Sequence, residues 1–160
     1  MNTQFTIRQM TPADVHRLKQ IADLSFTWFL RFFANYSLRE EGQVLLCETR
    51  KAIVGFVKLT EFNIGTDKYG CILWIAVHPD FRRKGFATAL THAGTQHLKQ
   101  DCARTVFAST QRRNKAALAT LRKAGFEKVG FLAMWRLFRW RIFDFYRDIW
   151  FAPGEVIMQN

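Results

Sequence analysis

One stretch limits the architecture more than any other. Residues 71–77, CILWIAV, are apolar without a break, and the chain turns directly afterwards through His78 and Pro79. A run this short, bounded by Gly70 and a His-Pro pair, reads as a strand buried on both faces. Such a strand belongs at the centre of a sheet that has helices against it. The expectation is therefore an α/β chain. At 160 residues it has the length of one ordinary domain, long enough to fold without a disulfide framework.

The flanking pattern extends this reading. Residues 4–8 alternate like a first strand. Thr11, Pro12 and Asp14 then form a helix start, and Val15, Leu18, Ile21 and Leu24 follow at helical spacing. A second helix over about 26–36 is apolar almost all round and needs a second surface to cover it. Residues 43–48 and 52–62 read as paired strands joined by a charged turn at 49–51, with another turn over 65–70. Gly85 opens a helix reaching about Gln100, and 105–110 is a further strand. Asn114 is an N-cap, and Gly125 a left-handed cap that ends the next helix behind Arg122 and Lys123. Residues 126–135 read as a late strand, and 155–158 as a last short one. The whole is a mixed central sheet of about six or seven strands flanked by about four helices, in a single domain over 1–160.

Charge is unevenly placed. The net charge is +11, and residues 81–160 hold 15 Lys and Arg against 5 Asp and Glu. Such asymmetry calls for an anionic partner in the second half: a phosphate-bearing cofactor, nucleic acid or an acidic membrane surface. Cys47, Cys71 and Cys102 are odd in number and widely spaced, as expected of reduced, buried thiols in a cytoplasmic protein. The polar N-terminus lacks a signal-peptide core, and no apolar run approaches transmembrane length. His16, His92 and His97 have no matching ligand set, so no metal is expected.

The chemistry concentrates at Ile75-Ala76-Val77-His78-Pro79-Asp80-Phe81-Arg82-Arg83-Lys84-Gly85-Phe86-Ala87-Thr88. A buried strand runs into a basic turn, then a glycine, then a helix. A helix N-terminus presents unpaired N–H groups and partial positive charge, which makes an anion cradle. Neither the P-loop nor the dinucleotide glycine pattern is present. Arg82-x-x-Gly85-x-Ala87 after Val77-x-Pro79 resembles the acetyl-CoA pyrophosphate loop of the GNAT superfamily of N-acyltransferases. Asn114-x-x-Ala117-Leu118, running to Lys123-Ala124-Gly125-Phe126, is similar to the family's Asn-helix-Gly-Phe segment. The resemblance runs from Thr6 to Phe126, and residues 136–151 fit it least.

The resemblance implies acetyl-CoA as co-substrate and acetyl transfer to a primary amine by direct attack. It implies that Ile75, Ala76 and Val77 hold the pantetheine arm and the acetyl carbonyl through their backbone. Arg82, Arg83, Lys84, Gly85, Phe86, Ala87 and Thr88 are the implied pyrophosphate site, with Asn114 on the pantetheine. The catalytic pattern departs from the family's. Leu121 stands where many members carry a general-acid Tyr, and Leu73, Trp74 and Ser109 stand where members place a carboxylate. Glu61 is the remaining base candidate; Tyr36, Tyr69 and Tyr146 are candidate acids.

Two other classes compete. The missing Tyr and carboxylates favour a non-catalytic acyl-CoA-binding module. The segment Trp135-Arg136-Leu137-Phe138-Arg139-Trp140-Arg141 suits a nucleic-acid binder, although CoA phosphates account for much of the basic charge. The amine acceptor is open, and a polycationic one would rely on Glu40, Glu41, Glu61 and Asp67. Nine aromatic residues fall within 131–151. With the helix over 26–36 they are expected to cover one another or a partner chain, as monomer packing, an acceptor-pocket wall or a homodimer interface. Phe138, Ile142, Phe145 and Ile149 make a helical stripe. Asp144 and Asp148 interrupt the basic face and count against membrane-surface binding.

Overall fold

The computed structural model describes residues 4–38, 43–50, 52–149, 151–152 and 154–160. Glu40, Glu41, the Lys51 end of the first charged turn, and Trp150 in the aromatic segment lie outside the described residues. In chain order the elements are β1 (Phe5–Gln9), α1 (Val15–Ser25), α2 (Trp28–Ser37), β2 (Val44–Thr49), β3 (Ile53–Ile64), β4 (Asp67–Val77), α3 (Phe86–Gln100), β5 (Val106–Gln111), α4 (Lys115–Lys123), β6 (Glu127–Lys128), α5 (Phe131–Phe138), α6 (Ile142–Asp148) and β7 (Glu155–Gln159). The strands form one seven-stranded sheet in the order β1-β2-β3-β4-β5-β7-β6. The apolar run lies in β4, fourth of the seven. The sheet is mixed because β4 and β5 run parallel while β1–β2, β2–β3 and β5–β7 are antiparallel.

Two compact units divide the chain. The first comprises Met1–Leu59 and Trp74–Gly94, the second Thr60–Leu73 and Thr95–Asn160. In the first, Leu18, Ile21 and Ala22 of α1 and Ala34 of α2 pack on Val44, Leu46, Phe56 and Ala76. Asp14 joins β1 to α1. Its carboxylate accepts from Arg8 Nη1 at 2.7 Å, Arg8 Nη2 at 3.0 Å, and the Thr11 N–H and hydroxyl, each at 2.8 Å. The outer face of α2 is left open, with Trp28, Phe29, Phe32 and Tyr36 exposed.

In the second unit Met134, Phe138, Ile142, Phe145 and Ile149 pack on Tyr69, Cys71, Phe107 and Ile157. The expected helical stripe is therefore core. The late strand over 126–135 is corrected: only Glu127–Lys128 pairs, with β7, and α5 begins at Phe131. Gly130 makes the break, in extended conformation as the N-cap of α5. The run Phe131-Leu132-Ala133-Met134-Trp135 is too short for its periodicity to separate strand from helix. No helix among the described residues is long and apolar enough to cross a membrane.

Candidate functional site

In the first unit, β4 leaves the sheet at Val77, and the His78 N–H still donates to the Val54 carbonyl at 2.9 Å. A 3-10 turn over Pro79–Phe81 follows, with His78 Nδ1 accepting from the Asp80 N–H at 3.4 Å. Arg82 then folds back. Its Nε donates to the Val77 carbonyl at 3.1 Å and its Nη2 to Ser25 Oγ at 3.4 Å, while Ser25 Oγ donates to the same carbonyl at 3.3 Å. Arg82 thus braces the strand end. Lys84 Nζ donates to the Asp80 carbonyl at 3.2 Å and lies 5.2 Å from the centre of the Phe81 ring. Arg83 is exposed and forms no ion pair with the described residues.

The backbone here is unusual for L residues. Arg83 has φ 63° and Gly85 φ 86°, both left-handed. A Cβ on Gly85 would meet nothing within 4 Å, so the glycine answers to its dihedral, and the space beside it is open. The Ala89 N–H donates to the Gly85 carbonyl at 3.0 Å, the first hydrogen bond of α3. The N–H groups of Phe86, Ala87 and Thr88 precede that bond and have no carbonyl one turn behind them. Phe86 is buried and anchors the helix start, its ring 5.5 Å from Phe5 and 6.5 Å from Phe81. A polyanion fits this place: open space, three helix N–H groups with no backbone partner among the described residues, the positive end of a helix dipole and an exposed guanidinium.

Behind the turn, Ala76 and Val77 are buried and Ile75 is half-buried. A Cβ on Gly55 of β3 would lie 2.7 Å from the Ala76 carbonyl oxygen, so only glycine lets β3 approach there. Trp74 packs edge-on to Phe26 at 5.4 Å, and its buried Nε1 has no hydrogen-bond partner among the described residues. Neither Trp74 Nε1 nor the Ser25 bridge is evident from sequence. An indole N–H is invisible inside an apolar run, and a serine that ends one helix gives no sign of a carbonyl 52 residues away.

In the second unit Asn114 is the N-cap of α4. Its Oδ1 accepts from the Ala117 N–H at 3.1 Å, which leaves its Nδ2. The helix ends at Gly125, with φ 85° as expected. Leu121 is buried. Glu61 is paired: its Oε2 lies 2.8 Å from Lys68 Nζ, which raises the Lys68 pKa, while its Oε1 is buried without a partner among the described residues. Of the candidate acids, Tyr69 is buried in the core with its pKa pushed up, first by burial. Tyr146 is half-buried, also pushed up by burial, and stacked on Phe151; Tyr36 is exposed on α2. No cluster of three or more His, Cys, Asp or Glu suited to a metal occurs among the described residues.

A braced strand end, a left-handed basic turn and a helix start thus follow one another from Val77 to Ala89. The Acetyltransferase (GNAT) family model matches residues 11–126, and the chain belongs to that family. Among curated proteins it is 28% identical over 123 residues to an uncharacterized N-acetyltransferase of Methanocaldococcus jannaschii, covering 75% of this chain. The chain spans about half the length of that relative, 51%. Among solved structures it resembles the PaiA N-acetyltransferase of Thermoplasma acidophilum in complex with coenzyme A, with TM-score 0.70, 12% identity and 98% of each chain covered. It also resembles a Bacillus subtilis acetyltransferase in complex with CoA, with TM-score 0.70 and 18% identity over 98% of this chain and 97% of that one. At these identities the likeness is one of fold.

Proposed function

We propose that this chain moves an acetyl group from acetyl-CoA to a primary amine by direct attack within a ternary complex. The observation that supports this most is the turn from β4 into α3. Arg83 and Gly85 are held left-handed at the start of α3, and the space where a Gly85 side chain would stand is open. In this reading the 83–88 amides take the pyrophosphate, and the backbone of 75–77 takes the pantetheine arm and acetyl carbonyl. Arg82 holds that strand end in position. The pantetheine contact of Asn114 Nδ2 rests on the family resemblance.

The amine nitrogen attacks the thioester carbonyl carbon, and backbone N–H donors stabilise the oxyanion that forms. The C–S bond then breaks as the carbonyl re-forms, and the departing thiolate takes a proton from water or an acid in the site. The amine's own proton goes to a base, for which Glu61 Oε1 is the candidate, since Oε2 is held by Lys68. Placing both reactants together supplies much of the remaining rate.

A second reading, a non-catalytic acyl-CoA binder, draws support from Leu121 being buried at the position of the family's usual Tyr. One set of measurements separates the two. CoA at a hundredfold excess over its Kd adds about 2.7 kcal/mol and raises Tm by about 5–10 °C. Gly85→Glu, which puts a side chain and negative charge at a left-handed position, abolishes that shift. Free-thiol release from acetyl-CoA across a panel of amines marks an enzyme, and a Tm shift without release marks a binder. If Glu61 is the base, Glu61→Gln lowers kcat by about 10²–10⁴ while leaving the CoA Kd unchanged.

A further inference from the structure

The segment from α5 to α6 has two apolar faces, and the core uses one of them. Met134, Phe138, Ile142, Phe145 and Ile149 are buried. On the outside, Phe131, Leu132, Leu137, Trp140 and Phe143 are exposed, Leu132 to 72% and Trp140 to 76%. Two of these side chains, Phe131 and Trp140, stand on Trp135. Trp140 meets Trp135 edge-on at 4.9 Å, Trp135 stacks on Phe131 at 6.2 Å, and Trp135 itself packs against the core. Arg139 holds φ 51° and ψ −132°, a conformation that favours glycine, at the step from α5 into the 3-10 turn that carries Trp140.

The charge around these apolar groups is mainly positive. Arg136, Arg139 and Arg141 are exposed among them. The acids that interrupt the basic face in the sequence are taken up locally. Arg147 holds Asp148 at 2.9 Å and Asp144 at 3.3 Å, and Arg141 reaches Asp144 at 4.0 Å. No carboxylate among the described residues is in ion-pair range of Arg136 or Arg139. Asp144 and Asp148, which interrupt the basic face in the sequence, are thus ion-paired within it.

We propose that this face docks on an anionic lipid surface. Phe131, Leu132, Trp140 and Phe143 enter the headgroup boundary, and Arg136 and Arg139 meet the lipid phosphates. Exposed Trp, Phe and Leu interleaved with arginine are what an interfacial element uses: apolar area for the acyl boundary and cations for the headgroups. Nucleic acid is a poorer match, because Leu132 and Leu137 have no ring on which a base could stack. A second copy of the same face would bring unmatched arginines together. The proposal is independent of the acetyl-transfer reading.

The test is co-sedimentation of the full chain with vesicles of phosphatidylcholine alone and of phosphatidylcholine and phosphatidylglycerol in equal parts. Binding to the second and not the first, weakening as salt rises, is expected. Arg136→Gln with Arg139→Gln should weaken that binding about twenty- to thirtyfold. Trp140→Ser with Phe143→Ser should weaken it at least about tenfold. Tm should hold in the arginine variant; should the aromatic variant fail to fold, the exposed arginine pair decides. Equal binding to both vesicles, binding to neither, or an arginine variant that binds as wild type does overturns the proposal. So does a patch-dependent affinity for polyuridine without vesicle binding, or a dimer that Trp140→Ser dissociates without vesicle binding.

Discussion

The Nε of Arg82 donates to the carbonyl oxygen of Val77 at 3.1 Å, tying the basic turn back to the end of the central strand. The neighbouring Arg83 has no such tie among the described residues. The two arginines therefore differ in what their removal does. Arg82→Ala strips one of two donors from a buried strand end and should cost about 1 kcal/mol of stability. Arg83→Ala should leave Tm unchanged and weaken CoA binding about tenfold, with a shallower salt dependence. Thermal melts and CoA titrations at two salt concentrations check both.

Gly55 leaves no space for a methyl group beside the Ala76 carbonyl, which a Cβ would approach to 2.7 Å, with Val77 Cγ2 at 3.1 Å and Leu90 Cδ1 at 3.2 Å. Gly55→Ala should cost about 1–3 kcal/mol through overpacking. It should also weaken CoA binding, because the displaced atoms belong to the strand end of the proposed thioester site. Unchanged Tm and unchanged Kd together would show that the strands part at no cost.

Asp14 gives a pH dependence of defined sign. The Arg8 guanidinium, then the hydrogen bonds from Thr11, hold its carboxyl well below the usual carboxylate range, outweighing the upward push of partial burial. A lowered folded pKa means stability that is fully present above the unfolded value, about 3.9, and is lost as pH falls below it. The chain should therefore lose stability from about pH 5 downward. Asp14→Asn should be less stable by about 2 kcal/mol at pH 7, and the difference should shrink on acidification. Melting curves of both proteins between neutral and acid pH test this.

Cys102 should be the reactive thiol of the native protein and a place to gain stability. Cys47 and Cys71 are buried, and burial pushes the first up to about 11 and the second higher. Cys102 is exposed, so thiol labelling of folded protein near pH 8 should modify it first. Cys102 also sits at φ 67° just beyond α3, where its N–H donates to the Lys99 carbonyl at 3.2 Å and the Ala103 N–H to Leu98 at 3.0 Å. This is the left-handed helix cap that glycine makes without strain. Cys102→Gly should raise stability by about 1 kcal/mol, and Tm reads it.

The two helix caps show what is legible in a sequence. Gly125 makes the same cap on α4 as Cys102 makes on α3, with Phe126 donating to Leu121 at 3.0 Å. A glycine announces the left-handed position; a cysteine conceals it. Local rules of that kind carry the apolar centre of β4, the Gly85 start of α3, the Asn114 cap and the core stripe from Phe138 to Ile149. In each, the determinant is a spacing, a dihedral preference or a side chain bonding to its own turn, and all of these act over a few residues.

The remainder depends on groups distant in the chain. Residues 131–135 could pair as a strand or coil as a helix, and the core formed by Tyr69, Cys71 and Phe107 favours the helix by giving Met134 and Phe138 of α5 one surface to share. Glu61 reads as a candidate base without a partner in sequence until the hairpin brings Lys68 to 2.8 Å. Asp144 and Asp148 read as breaks in a basic face until one turn of helix puts Arg147 on both. Arg82 and Arg83 are adjacent and chemically identical. Only the position of the Val77 carbonyl and of Ser25, brought from α1, turns one into a brace and leaves the other free. Sequence by itself determined the family and the order of elements through α4, because short-range chemistry suffices for them. Tertiary structure decided which charges are neutralised and which stay free, because a charge is spent or available only according to what folding brings within a few ångströms of it.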